Sequence, residues 1–198
     1  MAGNKYKVSK HESEGTVLPN KLGLKTKREV EKAELEGFLY AYKILFDELS
    51  PRTKFNLKYI LKIHKLALGN LYSFAGKTRT VNISKGGFMF PPAMALDNAL
   101  KELDETVLKK LPSNYSSKGQ LIKDVAQVHA ELLFIHPFRE GNGRTARLLA
   151  NLMAAKAGHK LLDLENFSRE KFSNYIKAVK LAAKRDYEPM EKIIRSLF

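Results

Sequence analysis

Residues 136–147 read HPFREGNGRTAR, and the chemistry of this stretch decides how the rest of the chain is interpreted. Gly141 and Gly143 free the backbone so that successive N–H groups can face an anion. A helical pattern resumes at this point, and the N-terminus of a helix is electrically positive. The stretch therefore predicts an anion cradle between two helices, with Asn142 as the cap of a helix that starts at Gly143.

Four ionisable side chains surround the predicted cradle. Arg144 and Arg147 stand three residues apart in the first turns of the helix, so both can lean towards the cradle and clamp phosphate oxygens. Glu140 supplies a hard carboxylate of the kind that Mg²⁺ uses together with phosphate oxygens and water. His136 is the side chain that titrates near neutral pH, which suits a base. Together these residue types fit a metal-chelated polyphosphate.

Helical patterns extend outward from this stretch in both directions. Thr26 followed by Glu29 is a capping-box signal, and it predicts a helix from about residue 27 to 48. Ser50-Pro51 predicts the start of a second helix, because proline suits the first helical position. Four further helices are expected. The first ends before Pro112, the second begins after Ser117, the third follows the glycine stretch, and the fourth begins after Ser168.

One segment departs from the helical pattern. Residues 78–90 are rich in strand-forming residues on both sides of Lys85-Gly86-Gly87, which predicts a single β-hairpin. Residues 1–25 are polar and punctuated by glycine and proline, which predicts an irregular lead-in. The expected fold is therefore mostly α, with one domain of six to eight helices and one hairpin over residues 26–198, and a catalytic loop at 136–144.

The composition excludes several classes of protein. The chain has 198 residues, of which 44% are hydrophobic and 28% charged, as expected for one folded domain. It contains no cysteine, which excludes disulfide frameworks, thiolate zinc sites and cysteine nucleophiles. No apolar run approaches the ~20 residues of a membrane span, and the N-terminal residues lack an apolar signal region. We therefore expect a cytoplasmic protein with no membrane partner.

The net charge of +14 favours binding to anionic partners. Many of the Lys and Arg residues lie at helical spacing beside acidic residues, which is typical of solvated helix faces. We therefore do not expect nucleic acid as the partner. The alternative from a different class of function is a basic helical nucleic-acid-binding module in which the glycine loop contacts only backbone phosphate.

The stretch at 136–147 resembles the H-x-F-x-[D/E]-G-N-G-R-x-x-R signature of Fic domain proteins at every fixed position. Residues 71–77 (LYSFAGK) and 79–85 (RTVNISK), with Phe88, resemble the segment that leads into the flap of this family. The flap is a β-hairpin that holds the acceptor segment of a target protein. The resemblance covers about residues 26–190.

The resemblance implies a protein adenylyltransferase, or AMPylator, which transfers AMP from ATP to a hydroxyl side chain of a target protein and releases pyrophosphate. His136 would be the base that takes the hydroxyl proton, and Glu140 would hold Mg²⁺ on the phosphates of ATP. Phe138 would face the core and anchor the loop. The remaining positions of the signature would bind the nucleotide: Gly141, Asn142, Gly143, Arg144 and Arg147.

The resemblance leaves several alternatives. The Doc-like members transfer the terminal phosphate and carry lysine where this chain has Gly143, so Gly143 favours nucleotidyl transfer. A toxin of a toxin–antitoxin pair, with a separate antitoxin as partner, is one expected role, and the same fold could instead remove AMP. The protein could also be delivered to another cell and act on its target there.

Lys85 and Phe88 lie at the predicted hairpin. Turn chemistry alone accounts for the glycines between them. The resemblance adds a target-positioning role, in which the hairpin edge pairs with a target strand and Lys85 and Phe88 hold that strand.

Glu36-Gly37 resembles the end of the inhibitory segment [S/T]-x-x-x-E-[G/N] of Fic proteins, although Lys32 stands where the segment has Ser or Thr. In that segment the glutamate pairs with the second arginine of the signature, here Arg147, and blocks the productive pose of ATP. The other interpretation is that Glu36 is an ordinary surface residue. A glycine inside a helix costs ~1 kcal/mol relative to alanine, so Gly37 is expected to have a close-packing reason.

Overall fold

The computed structural model describes residues 7–8, 17–85, 87–164 and 169–198. In this part of the chain there are seven α-helices: α1 (Lys27–Asp47), α2 (Leu57–Leu68), α3 (Leu96–Thr106), α4 (Lys118–Ile135), α5 (Asn142–Lys156), α6 (Arg169–Leu181) and α7 (Glu188–Arg195). The predicted fold class, mostly α with one hairpin, is confirmed. No helix among the described residues has the length and apolarity needed to cross a membrane.

Helix α1 begins where the capping box predicts. Thr26 Oγ1 accepts a hydrogen bond from the Glu29 N–H at 3.3 Å, and Glu29 Oε2 accepts one from the Thr26 N–H at 3.0 Å. Further along α1, a Cβ atom on Gly37 would lie 1.9 Å from the carbonyl oxygen of Ala67. Because such an overlap is forbidden, only glycine lets α1 approach α2 this closely. The expected packing reason for Gly37 is therefore confirmed.

The start of α2 differs from the prediction. Ser50-Pro51 precedes a turn, in which the Ser50 N–H donates to Thr53 Oγ1 at 3.0 Å. The helix begins at Leu57 instead, because the Asn56 side chain accepts the Tyr59 N–H at 2.9 Å and acts as the N-cap. A proline suits a turn as well as the first helical position, so the local signal was ambiguous.

Helices α4 and α5 form the centre of the core. Helix α4 packs against α5, α6 and α7, and several of its side chains are fully shielded from solvent, among them Leu121, Val125 and Leu132. Ser117 caps α4 as predicted, accepting the Gln120 N–H at 3.2 Å. The short loop that joins α4 to α5 is consequently held by two buried helices.

The hairpin consists of β2 (Ile83–Lys85) and β3 (Phe88–Met89), paired antiparallel with Lys85 opposite Phe88. A third strand, β1 (Lys7–Val8), pairs antiparallel with the other edge of β2, with Val8 opposite Ile83. The lead-in was predicted to be irregular, and this strand is a difference from that prediction. Residues 1–6 and 9–16 of the lead-in lie outside the described residues.

Candidate active site

The predicted site lies in the loop between α4 and α5. His136 ends α4 with φ +51°, and Gly141 precedes α5 with φ +79°. Both values belong to the left-handed region, which costs a residue other than glycine about 1 kcal/mol or more. The loop therefore reverses the chain through two left-handed residues, of which one, His136, carries a side chain.

The ring of His136 is held on two sides. Its Nδ1 atom lies 3.0 Å from the Leu133 carbonyl oxygen, and the ring stacks on Phe90 with centroids 3.8 Å apart. Since a carbonyl oxygen only accepts hydrogen bonds, Nδ1 carries the hydrogen, and in the neutral ring Nε2 carries the lone pair. Burial lowers the pKa of His136 to about 4, and the positive charges of Lys85 and Arg79 act in the same direction. The ring is therefore neutral at pH 7, as a base must be.

Gly141 is required by its conformation and a close contact, and Gly143 lies in a tight but adjustable contact. A Cβ atom on Gly141 would lie 2.8 Å from Leu68 Cδ1, in addition to the strain of its positive φ. A Cβ atom on Gly143 would lie 3.3 Å from Arg147 Nη1. One nitrogen of the Arg147 guanidinium thus lies beside Gly143, near the start of α5.

Asn142 has a different local role from the one predicted. Helix α5 starts at Asn142 with Gly141 as the N-cap. The Asn142 side chain is 1% exposed, accepts the Phe138 N–H at 2.8 Å and donates to the Phe138 carbonyl oxygen at 2.6 Å. It therefore braces the loop from inside, and what it can offer a ligand is its backbone N–H. Phe138 is fully buried, as expected.

Arg144 lies in a small network of charges. Its Nη2 atom is 2.7 Å from Glu34 Oε2 and 3.4 Å from Glu140 Oε1, and its guanidinium lies over the ring of Phe38. Glu34 also accepts a hydrogen bond from the Tyr72 hydroxyl at 2.7 Å. The sequence did not single out Glu34, since an acidic residue on a helix is usually a surface residue.

Glu36 is not placed as an inhibitory residue. Its side chain is 65% exposed and lies 3.9 Å from Lys32 in an exposed ion pair on the same helix. Two residues along an α-helix turn the side chain by about 200°, so Glu36 points away from the face that carries Glu34. The predicted pairing of Glu36 with Arg147 is therefore wrong, and the carboxylate that α1 brings to the signature arginines is that of Glu34, on Arg144.

The two predicted flap residues both lie at the hairpin, where Phe88 packs against other side chains and Lys85 is exposed. Phe88 packs edge-on against Phe90 at 5.3 Å between centroids, and Lys180 Nζ lies 5.5 Å from the centre of the Phe88 ring. Lys85 is exposed on β2, and its charge acts on His136. The hairpin thus reaches the predicted base both through Phe90 and through the charge of Lys85.

His64 is a buried residue that connects to the loop. The Gly76 N–H donates to its Nδ1 at 2.8 Å, so Nε2 carries the hydrogen and donates to the Glu140 carbonyl oxygen at 2.9 Å. Its ring stacks on Phe138 with centroids 3.8 Å apart. The sequence offered no signal for this role, because a histidine on the apolar face of a helix is usually a core residue.

A metal could be held at this site only with help from a ligand. Among the described residues no cluster of three or more His, Asp or Glu side chains could bind a metal ion by itself. Glu140 has a carboxylate 13% exposed at the start of the cradle, where it accepts the Gly141 N–H at 2.9 Å. One carboxylate beside an anion cradle fits Mg²⁺ that is bound mainly by phosphate oxygens and water.

Proteins of one family are similar in sequence to this chain. The family model of the Fic/DOC family matches residues 54–154. The protein adenylyltransferase VbhT of Bartonella schoenbuchensis is 29% identical over 157 residues, which is 79% of this chain and 32% of VbhT. The protein adenylyltransferase Fic of Drosophila ananassae is 30% identical over 180 residues, 90% of this chain and 35% of that protein. The chain thus spans about a third of the length of these relatives.

Solved structures share the fold. The N-terminal Fic domain of a Bartonella effector protein from Bartonella sp. AR 15-3, a substrate of the VirB secretion system, has a TM-score of 0.72 and is 27% identical, covering 93% of this chain and 87% of that one. The BepC protein of Bartonella tribocorum, solved with bound AMPPNP, has a TM-score of 0.73 at 22% identity and covers 93% of this chain and 94% of its own.

Proposed function

The chain belongs to the Fic/DOC family. We propose that it is a protein adenylyltransferase, which transfers AMP from ATP to a hydroxyl side chain of a target protein. The proposal rests on one arrangement in the loop between α4 and α5. His136, which is buried and neutral, lies at one end of this loop. At the other end Gly141 caps α5, whose first turns carry two arginines. The names of the curated relatives support the same activity.

In the proposed reaction His136 Nε2 takes the proton of the acceptor hydroxyl as its oxygen attacks the α-phosphorus of ATP. The bond between the α-phosphorus and the bridging oxygen to the β-phosphate breaks, and pyrophosphate leaves. The hydrogen bond from Nδ1 to the Leu133 carbonyl oxygen leaves the lone pair on Nε2 until that atom takes the proton. The chain therefore needs no change of tautomer before it can accept the proton.

The phosphates would lie on the N-terminus of α5. The backbone N–H groups of Asn142 and Gly143 would face the anion there, beside the Gly141 N–H that donates to the Glu140 carboxylate, and the dipole of α5 favours negative charge. Arg144 and Arg147 would bind the phosphates beyond the reacting one. Glu140 would hold Mg²⁺, which when bound would offset part of the phosphate charge.

The target and its delivery belong to the proposal as well. A target segment would be held at the hairpin, with Lys85 and Phe88 beside it, because this element reaches His136 through Phe90. Delivery to another cell is supported by the translocated Bartonella effectors that share the fold. A toxin role with a separate antitoxin remains a prediction from the sequence.

Differentially labelled ATP tests the reaction. Wild type, His136→Ala and His159→Ala would each be incubated with Mg²⁺ and cell lysate, using ATP labelled on either the α- or the γ-phosphate. We expect α-label on protein with wild type and His159→Ala, a loss of about 10²- to 10⁴-fold with His136→Ala, and no more γ-label than in lysate without added protein, since kinases of the lysate transfer γ-phosphate themselves. His159 is a suitable control because it packs on Phe198 at the C-terminus.

The outcomes separate the alternatives. γ-Label above that of lysate alone would mean phosphoryl transfer by this chain, and label no higher than that of lysate alone with either ATP would favour a binding module. Wild-type rates in His136→Ala would overturn the assignment of the base. Calorimetry of ATP binding should give similar affinities for wild type and His136→Ala, because the ring takes the proton but does not belong to the cradle.

A further inference from the structure

Arg79 is a buried arginine that contacts the backbone on either side of the predicted base. It is 4% exposed. Its Nε atom donates to the His136 carbonyl oxygen at 2.8 Å, and Nη2 lies 3.5 Å from the Ile135 carbonyl oxygen. Its backbone N–H donates to the Pro137 carbonyl oxygen at 2.8 Å. Three successive carbonyl groups around the end of α4 are thus turned towards one residue.

The same guanidinium also holds the two ends of the hairpin. Nη1 donates to the Val81 carbonyl oxygen at 2.7 Å, and Nη2 donates to the Pro91 carbonyl oxygen at 2.5 Å. Val81 precedes β2 and Pro91 follows β3, and we call this pair the flap base. A single planar guanidinium group therefore joins the flap base to the loop that carries His136.

The environment of Arg79 is unusual for a buried cation. Within the described part of the chain, the acceptors of its side chain are all backbone carbonyl oxygens. Burial lowers the pKa of Arg79, and a buried charge is costly unless its surroundings compensate for it. The C-terminal end of α4 is negative through the helix dipole, so it offers partial compensation. An apolar side chain could fill this space but could not bind these carbonyl groups.

The contact falls where the backbone is strained. His136 has φ +51°, a conformation that a residue other than glycine keeps only when its surroundings fix it. Arg79 binds the carbonyl group of that residue, and Phe90, next to the flap base, stacks on its ring. The backbone and the ring of His136 are therefore both fixed by the segment that carries the hairpin.

We propose that Arg79 is a positioning residue that ties the flap base to His136, so that the hairpin which holds the target and the base that deprotonates it move as one unit. The proposal rests on the proposed function, since it assigns His136 the role of base. It adds a residue outside the signature, acting through the backbone and touching neither nucleotide nor target.

The test compares Arg79→Met and Arg79→Lys with Lys77→Met, an exposed cation of the same segment. The first measurement is the rate of transfer of α-label to lysate protein as a function of ATP concentration. We expect kcat to fall about 100-fold in Arg79→Met with KM for ATP changed less than about threefold, because a small misplacement of the base slows the chemical step without altering the cradle. Lysine reaches fewer carbonyl groups, so Arg79→Lys should recover part of kcat.

The second measurement does not depend on activity. In protein with isotope-labelled histidine, the ring protons of His136 carry the ring-current shift of Phe90, and we expect this shift to be lost in Arg79→Met and retained in Lys77→Met. The proposal would be overturned if both Arg79 variants had the same kcat as Lys77→Met. It would also be overturned if kcat and ATP affinity fell equally while the His136 signal stayed unchanged. If Arg79→Met does not fold, Arg79→Lys carries both measurements.

Different results would contradict the proposed function and the role of Arg79. A wild type that transfers no label contradicts the proposed function, and the His136 signal then decides by itself whether Arg79 fixes the ring. A wild type that transfers label, with Arg79 variants that retain both rate and signal, contradicts only the role of Arg79.

Discussion

The carboxylate of Glu34 and the guanidinium of Arg144 lie 2.7 Å apart, although 110 positions separate them in the chain. Glu34 is 3% exposed, so its negative charge is shielded from water. A phosphate bound at the proposed site would therefore compete with a buried carboxylate for one of its arginines. This pair takes the place of the predicted contact between Glu36 and Arg147.

Replacement of that carboxylate should strengthen nucleotide binding. Glu34→Gln removes the negative charge and frees Arg144, while the amide oxygen can still accept the Tyr72 hydroxyl. We expect the affinity for Mg-ATP to rise about tenfold, measured by calorimetry. Glu36→Gln is the matched control on the same helix and should leave the affinity unchanged. Equal effects of the two substitutions would contradict the placement of Glu34.

Loss of the proposed metal ligand should be distinguishable from loss of an arginine. Glu140→Ala should weaken binding of Mg-ATP, and a large excess of Mg²⁺ should restore part of it, because the lost contribution is metal affinity. Arg144→Ala should weaken binding to a degree that Mg²⁺ does not correct. A titration of Mg²⁺ at fixed ATP measures both. If both variants recover equally, the separate roles are wrong.

Gly141 should be more sensitive to substitution than another left-handed glycine. Gly158 has the same φ of +79° but no atom within 4 Å of a Cβ position, whereas Gly141 meets Leu68. Gly158→Ala should cost about 1 kcal/mol in the free energy of unfolding from backbone strain alone. Gly141→Ala should cost a further 1 to 3 kcal/mol, approximately, from the overlap, and it should weaken ATP binding. Urea unfolding measures the difference.

Three buried histidines should make the protein less stable in weak acid. Burial lowers the pKa values of His64, His129 and His136 from 6.5 to about 4. Between pH 6.5 and 4 the unfolded chain binds protons at these residues and the folded chain does not. The free energy of unfolding should therefore fall as the pH is lowered through this window, by up to about 1.4 kcal/mol per pH unit for each histidine.

Urea unfolding between pH 7 and 5 measures this dependence. His129 bonds Tyr175 and the Ala146 carbonyl oxygen, away from the hairpin, so His129→Gln should reduce the slope without changing the surroundings of His136. A stability that does not vary between pH 7 and 5 would mean that the pKa values of these rings are not lowered by folding.

Removal of strand β1 should favour binding of the target. Lys7–Val8 occupies the edge of β2 opposite β3, and an intramolecular occupant competes at a high effective concentration. If a target strand pairs with this edge, deletion of residues 1–10 should raise the rate of target labelling about threefold or more with no change in ATP affinity. Deletion of residues 1–4, which leaves β1 in place, is the control. Unchanged labelling in the longer deletion would show that the target does not use this edge.

Local features of the chain were predictable from the sequence. The capping box at Thr26, the cap at Ser117 and the glycine stretch before α5 each depend on residues within a few positions of one another, so their chemistry can be interpreted without knowing the fold. The mostly α class and the single hairpin follow from residue periodicity in the same way. The position of Ser50-Pro51 shows the limit, since a nearby competing cap at Asn56 decided where α2 starts.

Residue types and their spacing thus predicted which residues form the loop and which class of ligand it would bind. The tertiary structure decided which distant side chains hold the loop and restrain it. Glu34 and Glu36 are the same residue type two positions apart, and only the packing of α1 against α2 and α5, fixed partly by Gly37, selects the one that meets Arg144. Arg79 binds a carbonyl group 57 positions away, and a bond to a backbone carbonyl requires no particular residue there. Such contacts leave no pattern in the sequence, because they depend on where the folded chain places the backbone.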